Sequence, residues 1–582
     1  MKKNIIATLL ITAIALSSLT GCGSSAATAK NEAASPAYIE PYYPSETAEY
    51  PAETEAAPVY SEPMYDFGNE YPEEACAEAA EVYATDTYDS YAGEEAAKCV
   101  IDYNDTLCPG PLYPTYPNAG ETYRTVAEND FTSVASAPLS TFGADVDTAS
   151  YANLRRMIND GYALYDIPAG SIRTEELVNY FHYDYKSPRG NDVFAVNASI
   201  IDCPWNKNTK LVNLGIKAKD LGAYERTRSN IVFLVDVSGS MDSYDKLPLL
   251  QMGLDMLIDD LDGNDRVSIV TYASSSEIVI AGVPGDEHTK LKKAINNLEA
   301  SGSTNGGDGI LSAYKLAEKY FIKGGNNRVI MATDGDLNVG ITSEDELEEL
   351  ISDKKESGVF LSVLGFGTGN YNEATLETLA DKGNGNYSYI DCLSEAKKVL
   401  IDEFSSTLFT VAKDVKFQIE FNPKYVSEYR LIGYENRKMA DRDFHDDTKD
   451  GGEIGSGHAM TMLYEIRMND GEEDAQPALR YQNADLSSTG KQSDEWMTVS
   501  VRYKEPEKEK SQLLSFPITN KCYTKAPNCD TLFAAYVAEC GMILNGSKYI
   551  GNLDMHDVAK QVAMLDLQDE YKEEFLDLIS QL

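Results

Sequence analysis

Residues 231–241 read IVFLVDVSGSM, an apolar run that leads straight into Asp236, Ser238 and Ser240. A buried strand normally ends in a turn that satisfies its own backbone. One carboxylate and two hydroxyls at alternate positions can instead hold a cation. Two more stretches supply partners. Residues 302–309, GSTNGGDG, set Thr304 in a Gly-rich turn before a helical pattern, and residues 331–338, MATDGDLN, end another apolar strand on Asp334. Two carboxylates and three hydroxyls form an all-oxygen set. It suits a hard cation, Mg²⁺ before Mn²⁺ or Ca²⁺, with water completing an octahedron.

Those side chains can meet only if the strands before them lie side by side. From about 229 to 408, strand patterns (IVFLVDVS, RVSIVTYAS, NRVIMATDG, VFLSVLGFG, NYSYID) alternate with helical ones at 246–261, 289–299, 308–322, 344–356, 373–382 and 394–408. Near-continuous Val/Ile/Leu strands are buried on both faces, which predicts a doubly wound, mostly parallel, Rossmann-like α/β sheet. Such sheets bind ligands beyond the carboxyl ends of their strands, where the strand order reverses. Asp236 stands at such an end.

The flanks read differently. Residues 141–161 and 173–181 are helical by apolar spacing, with Thr174 the expected cap of the second helix, and DVFAVNASIIDCPW and TKLVNLGIKAKD alternate like strands. After 412 come DVKFQIEFN, EYRLIGYEN, MTMLYEIRM, PALRYQ, EWMTVSVRYK and QLLSFPIT, an antiparallel, sandwich-like set. Strands of one character on both sides of the α/β unit predict that it is inserted into a discontinuous β domain. Helical patterns close the chain from 530 onward. The expected organisation is a leader at 1–21, a tether at 22–129, a flanking region at 130–228, the α/β unit at 229–408 and a C-terminal region at 409–582.

Residues 1–21 carry Lys2 and Lys3, a short apolar run and then small residues, the layout of a secretory signal peptide, and Cys22 follows. No other stretch approaches the length of a membrane span. Residues 23–129 are rich in Ala, Glu, Pro and Tyr, with few branched aliphatics and almost no Lys or Arg, which predicts a disordered, extended tether. Its tyrosines exceed what a spacer needs. The formal charge of −44 argues against nucleic acid and anionic lipid head groups as partners. Of nine cysteines, Cys522 with Cys529 and Cys99 with Cys108 are the closest candidate pairs; a reduced state is the alternative.

Asp236-x-Ser238-x-Ser240, Thr304 and Asp334 resemble the metal-ion-dependent adhesion site of von Willebrand factor type A domains, in order and in context. The resemblance implies that Ser238, Ser240 and Thr304 coordinate the ion or its waters. It also implies that Asp236 and Asp334 touch the ion or its water shell, and that one position stays open for an acidic residue of a protein partner. Leu19-Thr20-Gly21-Cys22 resembles the lipobox of bacterial lipoproteins, which implies cleavage before Cys22 and its lipidation, palmitate included. FGADVDTASYANLRRMIND, DCPWN, LIGYENRKMADRDFHDDTKDGGEIGSGH and AECGMILNGSKYIG resemble the flanks of bacterial lipoproteins that carry such a domain. Residues 140–582 are similar to that family.

Other motifs carry less. GFGTGN at 365–370 lacks both GxGxxG spacing and a P-loop lysine and reads as a tight turn. The acidic loop 441–453 fails EF-hand spacing. His182, His288, His445, His458 and His556 pair with no cysteine at zinc-ligand spacing, and no G-x-S-x-G elbow is present. No nucleophile with its base is nominated. The expectation is a non-enzymatic module, lipid-anchored on the extracytoplasmic face of a cell membrane, that engages a protein through Mg²⁺. The alternatives are an envelope scaffold with a stabilising metal, or a hydrolase whose ion activates water.

Overall fold

The computed structural model describes residues 36–39, 123, 127–144, 147–221, 228–303, 307–335, 344–355, 357–368, 373–403, 409–449, 451–469, 493–506, 508 and 510–582. Cys22, Cys76, Cys99, Cys108, Thr304 and the strand expected at PALRYQ lie outside them.

The N-terminal flank supplies strands β1 (Ala37–Ile39), β2 (Thr132–Ser133) and β3 (Leu139–Gly143), helices α1 (Ala149–Asn159) and α2 (Thr174–Asn179), and strands β4 (Phe194–Asp202) and β5 (Lys210–Ala218). The α/β unit follows with strands β6 (Ser229–Asp236), β7 (Arg266–Tyr272), β8 (Ser276–Pro284), β9 (Asn326–Thr333), β10 (Phe360–Phe366) and β11 (Tyr387–Ile390). Its helices are α3 (Leu247–Asp259), α4 (His288–Asn296), α5 (Gly307–Lys319), α6 (Glu344–Lys355), α7 (Glu373–Lys382) and α8 (Leu393–Lys397). The C-terminal region adds strands β12 (Thr410–Phe421), β13 (Val426–Ile432), β14 (Ile454–Gly455), β15 (Ala459–Met468), β16 (Glu495–Lys504) and β17 (Gln512–Thr519), then helices Cys529–Leu544, Met555–Val562 and Glu570–Ile579.

The insertion predicted from the flanking strands is present. One sheet runs β1-β4-β5-β15-β13-β2, so strands from both sides of the α/β unit pair directly, Leu214 opposite Met462. It faces a second sheet, β14-β12-β16-β17, which β3 joins by pairing with β12. Phe417, Ile419, Val499 and Phe516 meet Val196, Leu214, Met462 and Tyr464 between the sheets. The outer face of the first sheet, with Leu211, Ile432 and Leu463, is covered by α1, α2 and the C-terminal helices.

In the α/β unit the order is β11-β10-β9-β6-β7-β8, parallel except for β8, an antiparallel edge strand absent from the sequence reading. Alternate residues of β6 serve two cores. Ile231, Phe233 and Val235 pack against α3, α4 and α8, and Val232 and Leu234 pack against α5, with α6 and α7 completing that layer. Ala149 and Ala152 of α1 belong to the second of these cores, so the inserted unit shares its packing with the flank.

Four expectations change. The helix expected over 141–161 covers only Ala149–Asn159, because Leu139–Gly143 pairs with β12 as an added strand. Residues 36–39 were expected in an unstructured tether, yet Ala37–Ile39 pairs with β4 because its apolar side chains find the sandwich core. Arg173, with extended backbone, caps α2, and Thr174 is its first helical residue. Cys522 and Cys529 are both free: Cys522 is buried in the sandwich core, whereas Cys529 opens a helix and donates to the Asp566 carbonyl.

Candidate metal centre

β6 lies between β7 and β9, so the sheet reverses direction of growth at its carboxyl end. Asp236 ends β6, paired with Tyr272, and Asp334 follows β9 directly. Both side chains are buried.

The chain turns immediately after Asp236. Its Oδ1 accepts the Ser238 N–H at 2.8 Å, and the Thr333 hydroxyl donates to its Oδ2 at 3.3 Å. This turn aims Ser238 Oγ at Ser240 Oγ, 3.0 Å apart. The two hydroxyls hydrogen-bond to each other at the sheet end that also carries the buried carboxylates. The donor set fits a small, hard cation.

The Gly-rich turn is stitched to the same loop: Ser301 N–H donates to the Val237 carbonyl at 2.7 Å and Gly239 N–H to the Gly302 carbonyl at 3.0 Å. Gly302 has φ +81°, and a Cβ there would lie 2.6 Å from Ser274 Oγ in the turn between β7 and β8, so glycine suits this position. Thr304 lies two residues further on, outside the described residues.

Burial pushes the Asp236 carboxyl up to about 6, the negative charge of Asp334 adding to it against the stabilising bonds from Ser238. A cation beside this pair relieves that cost. Lys246, which the sequence reading passed over, already supplies one. Its ammonium donates to Asp334 Oδ2 at 2.9 Å and to the Ser240 carbonyl at 3.0 Å. Its stem crosses Gly367, whose φ is +69° and where a Cβ would lie 2.1 Å from Lys246 Cε. Gly367, directly after β10, therefore makes room for the lysine and is tied down by the Tyr389 hydroxyl donating to its carbonyl at 2.8 Å. A signal existed: Lys246 caps the first turn of α3, where the helix dipole disfavours a cation unless something acidic holds it.

The remaining motifs resolve otherwise. Lys416 reaches from β12 to the carbonyls of Asp443 and Asp446, so a lysine braces the acidic loop. His182 and His458 share a cleft of about 890 Å³ with Lys217 and Glu403, and burial pushes His458 down to about 4. Among the described residues no three His, Cys, Asp or Glu side chains form a metal cluster, and the candidate centre depends on its hydroxyls.

Residues 230–402 match the family model for the von Willebrand factor type A domain, residues 117–213 one described as von Willebrand factor, and residues 406–582 the model for the C-terminal region of the uncharacterized protein YfbK. The chain is 42% identical to YfbK of Escherichia coli (strain K12) over 466 residues, 78% of this chain and 80% of that protein. It is 28% identical to inter-alpha-trypsin inhibitor heavy chain H3 of Mus musculus over 27% of this chain and 18% of that one. A solved von Willebrand factor type A protein from Catenulispora acidiphila aligns with a TM-score of 0.35 and 16% identity, over 62% of this chain and 80% of that chain. With its type A domain set between flanks shared with YfbK, the chain belongs to the YfbK family of von Willebrand factor type A domain proteins.

Proposed function

We propose that this protein is a non-enzymatic binding module that uses Mg²⁺, with Mn²⁺ and Ca²⁺ as alternatives, to engage an acidic side chain of a protein partner. Asp236, Ser238, Ser240, Thr304 and Asp334 would hold the ion or its waters. The observation that carries this reading is the convergence of Asp236, Ser238, Ser240 and Asp334 at the switch point of the sheet, two hydrogen-bonded hydroxyls beside two buried carboxylates. Hydroxyls and water leave the ion partly unneutralised and open to a further carboxylate. Residues 1–21 and Cys22 support export and lipid anchoring on the extracytoplasmic face of a cell membrane.

Lys246 favours a second reading, a scaffold in which the metal only stiffens the domain, since a built-in cation already neutralises part of the site. One experiment separates them. Full-length chain is used to capture partners from envelope extracts with Mg²⁺ or with chelator, alongside Asp236→Ala and Ser238→Ala. Binding lost with chelator and in both variants, which stay folded by circular dichroism, supports the adhesion reading; the variants should bind Mg²⁺ roughly 10- to 100-fold more weakly. Capture indifferent to metal, with Mg²⁺ still raising the melting temperature, supports the scaffold. Cys22→Ser should move the protein from the membrane fraction to the soluble one.

A further inference from the structure

Strand β4 is nine residues long, buried almost throughout, and lies at the side of its sheet. An uncovered edge of that kind invites pairing with any extended chain. Its carboxyl half is covered by the chain itself, since Thr524 N–H donates to the Ile200 carbonyl at 2.9 Å and Tyr523 bridges Ile200. Among the described residues the edge at Val196–Ala198 is covered by β1: Ala37 opposite Ala198, Tyr38 opposite Asn197, Ile39 opposite Val196.

We propose that this stretch is a strand-addition site that recognises a P-x-Y-x peptide, and that residues 36–39, Pro-Ala-Tyr-Ile, are its ligand within the chain. Three features read the peptide besides the β4 main chain. The Lys186 ammonium donates to the Pro36 carbonyl at 3.3 Å. The Arg189 guanidinium lies 4.3 Å from the centre of the Tyr38 ring, in cation–π contact. Ala37 and Ile39 pack on the sandwich core. Asn197, directly behind Tyr38, is held by the Lys186 backbone through bonds of 2.9 and 3.1 Å, so the segment that carries both cations is fixed to the strand it serves.

Proline has no N–H to give a ladder, so pairing begins after Pro36 and runs over Ala37–Ile39. The same spacing recurs in the sequence as Pro58-Val59-Tyr60-Ser61-Glu62-Pro63. Valine there replaces Ala37 with a better strand former, Ser61 gives up the core contact of Ile39, and tyrosine keeps its place. Main-chain pairing supplies affinity and the tyrosine pocket supplies choice, the general logic of strand addition. With a lipid on Cys22, the stretch 23–35 between the anchor and the strand has a maximum reach of about 45 Å. That last point rests on the anchoring proposed above; the binding itself does not.

The test uses full-length chain in which Tyr38→Ala and Ile39→Asp vacate the edge, with circular dichroism as the check on folding. Fluorescent peptides of residues 35–42 and 57–64 are titrated and followed by anisotropy. Both should bind the vacated chain at least tenfold more tightly than wild type, whose site is filled, and at least tenfold more tightly than a vacated chain that also carries Arg189→Ala. No binding to the vacated chain, or equal binding of a scrambled peptide, overturns the proposal. Independently, oxidation of Ala37→Cys with Ala198→Cys in otherwise wild-type chain should give a 37–198 disulfide, identified by mass spectrometry, in preference to Ala37→Cys with Ala195→Cys. Equal yields of the two pairs overturn the register. A 37–198 bond between two chains supports the site and assigns its occupant to a second copy.

Discussion

Lys246 carries the charge that the candidate centre lacks. Its ammonium is 11% exposed and its partner, Asp334, 1%, so solvent screens the pair little. Lys246→Met keeps the stem across Gly367 and removes only the charge. Asp334 would then be buried without its cation, which typically destabilises by about 3–5 kcal/mol. The same change makes the site one unit more negative toward an added cation. The metal-free variant should therefore melt well below wild type, and Mg²⁺ should bind roughly tenfold more tightly and recover more of the melting temperature. Calorimetry with chelator and with Mg²⁺ checks both; a variant as stable as wild type without metal and no better at binding Mg²⁺ would remove Lys246 from this role.

At the scale of elements, Arg155 of α1 joins three parts of the chain. It pairs with Asp391, at the end of β11, with Glu395 of α8 at 2.8 Å, and with Glu574 of helix Glu570–Ile579 at 3.1 Å. The Tyr180 hydroxyl adds a bond to Glu395 at 2.7 Å. Arg155 and Glu395 are almost wholly buried, so the guanidinium is what makes burial of those carboxylates tolerable. Arg155→Met should cost about 3–5 kcal/mol in urea unfolding. Deuterium exchange should rise together in Leu393–Lys397 and Glu570–Ile579, because the insertion loses its clasp on the flank. A loss below about 1 kcal/mol, with exchange unchanged, would show that apolar packing alone holds these elements.

For the whole molecule, the informative group is Glu539, inside helix Cys529–Leu544. It is fully buried, and burial pushes its carboxyl up to about 8 against a stabilising side-chain bond from Gln561. In the unfolded chain it titrates at an ordinary 4.5. The folded state therefore holds the proton over the range in which the unfolded state gives it up. The stabilisation from this group is complete below about pH 4.5 and is lost as pH rises toward about 8, by up to about 1.4 kcal/mol per pH unit. Repulsion within a chain of charge −44 acts in the same sense as the carboxylates ionise, so the comparison with Glu539→Gln isolates the residue. Urea midpoints at pH 5 and pH 8 should converge in that variant; if they differ as much as in wild type, Glu539 does not set the slope.

The α/β alternation, the ends of β6 and β9, and the insertion into a β domain were legible in the sequence. Each rests on a local pattern: apolar runs long enough for strands, helical spacing between them, and oxygen-bearing residues where a run stops. Asp236, Ser238 and Ser240 needed nothing more than β6 to be found. The Cys522–Cys529 pairing could not be judged this way, because closeness in sequence says nothing of which core each side chain enters. Lys246, at the start of α3, and the edge strand β8, in a hairpin with β7, carry local signals; Arg155 and the docking of Ala37–Ile39 were out of reach. Their partners lie far off in sequence or across an edge that exists only once the sheet has formed, and a short strand such as Ala37–Ile39 is stable only on that edge. Periodicity reports which face of an element leaves water; which element it then meets, and which charge answers a buried carboxylate, is decided when all the faces close together.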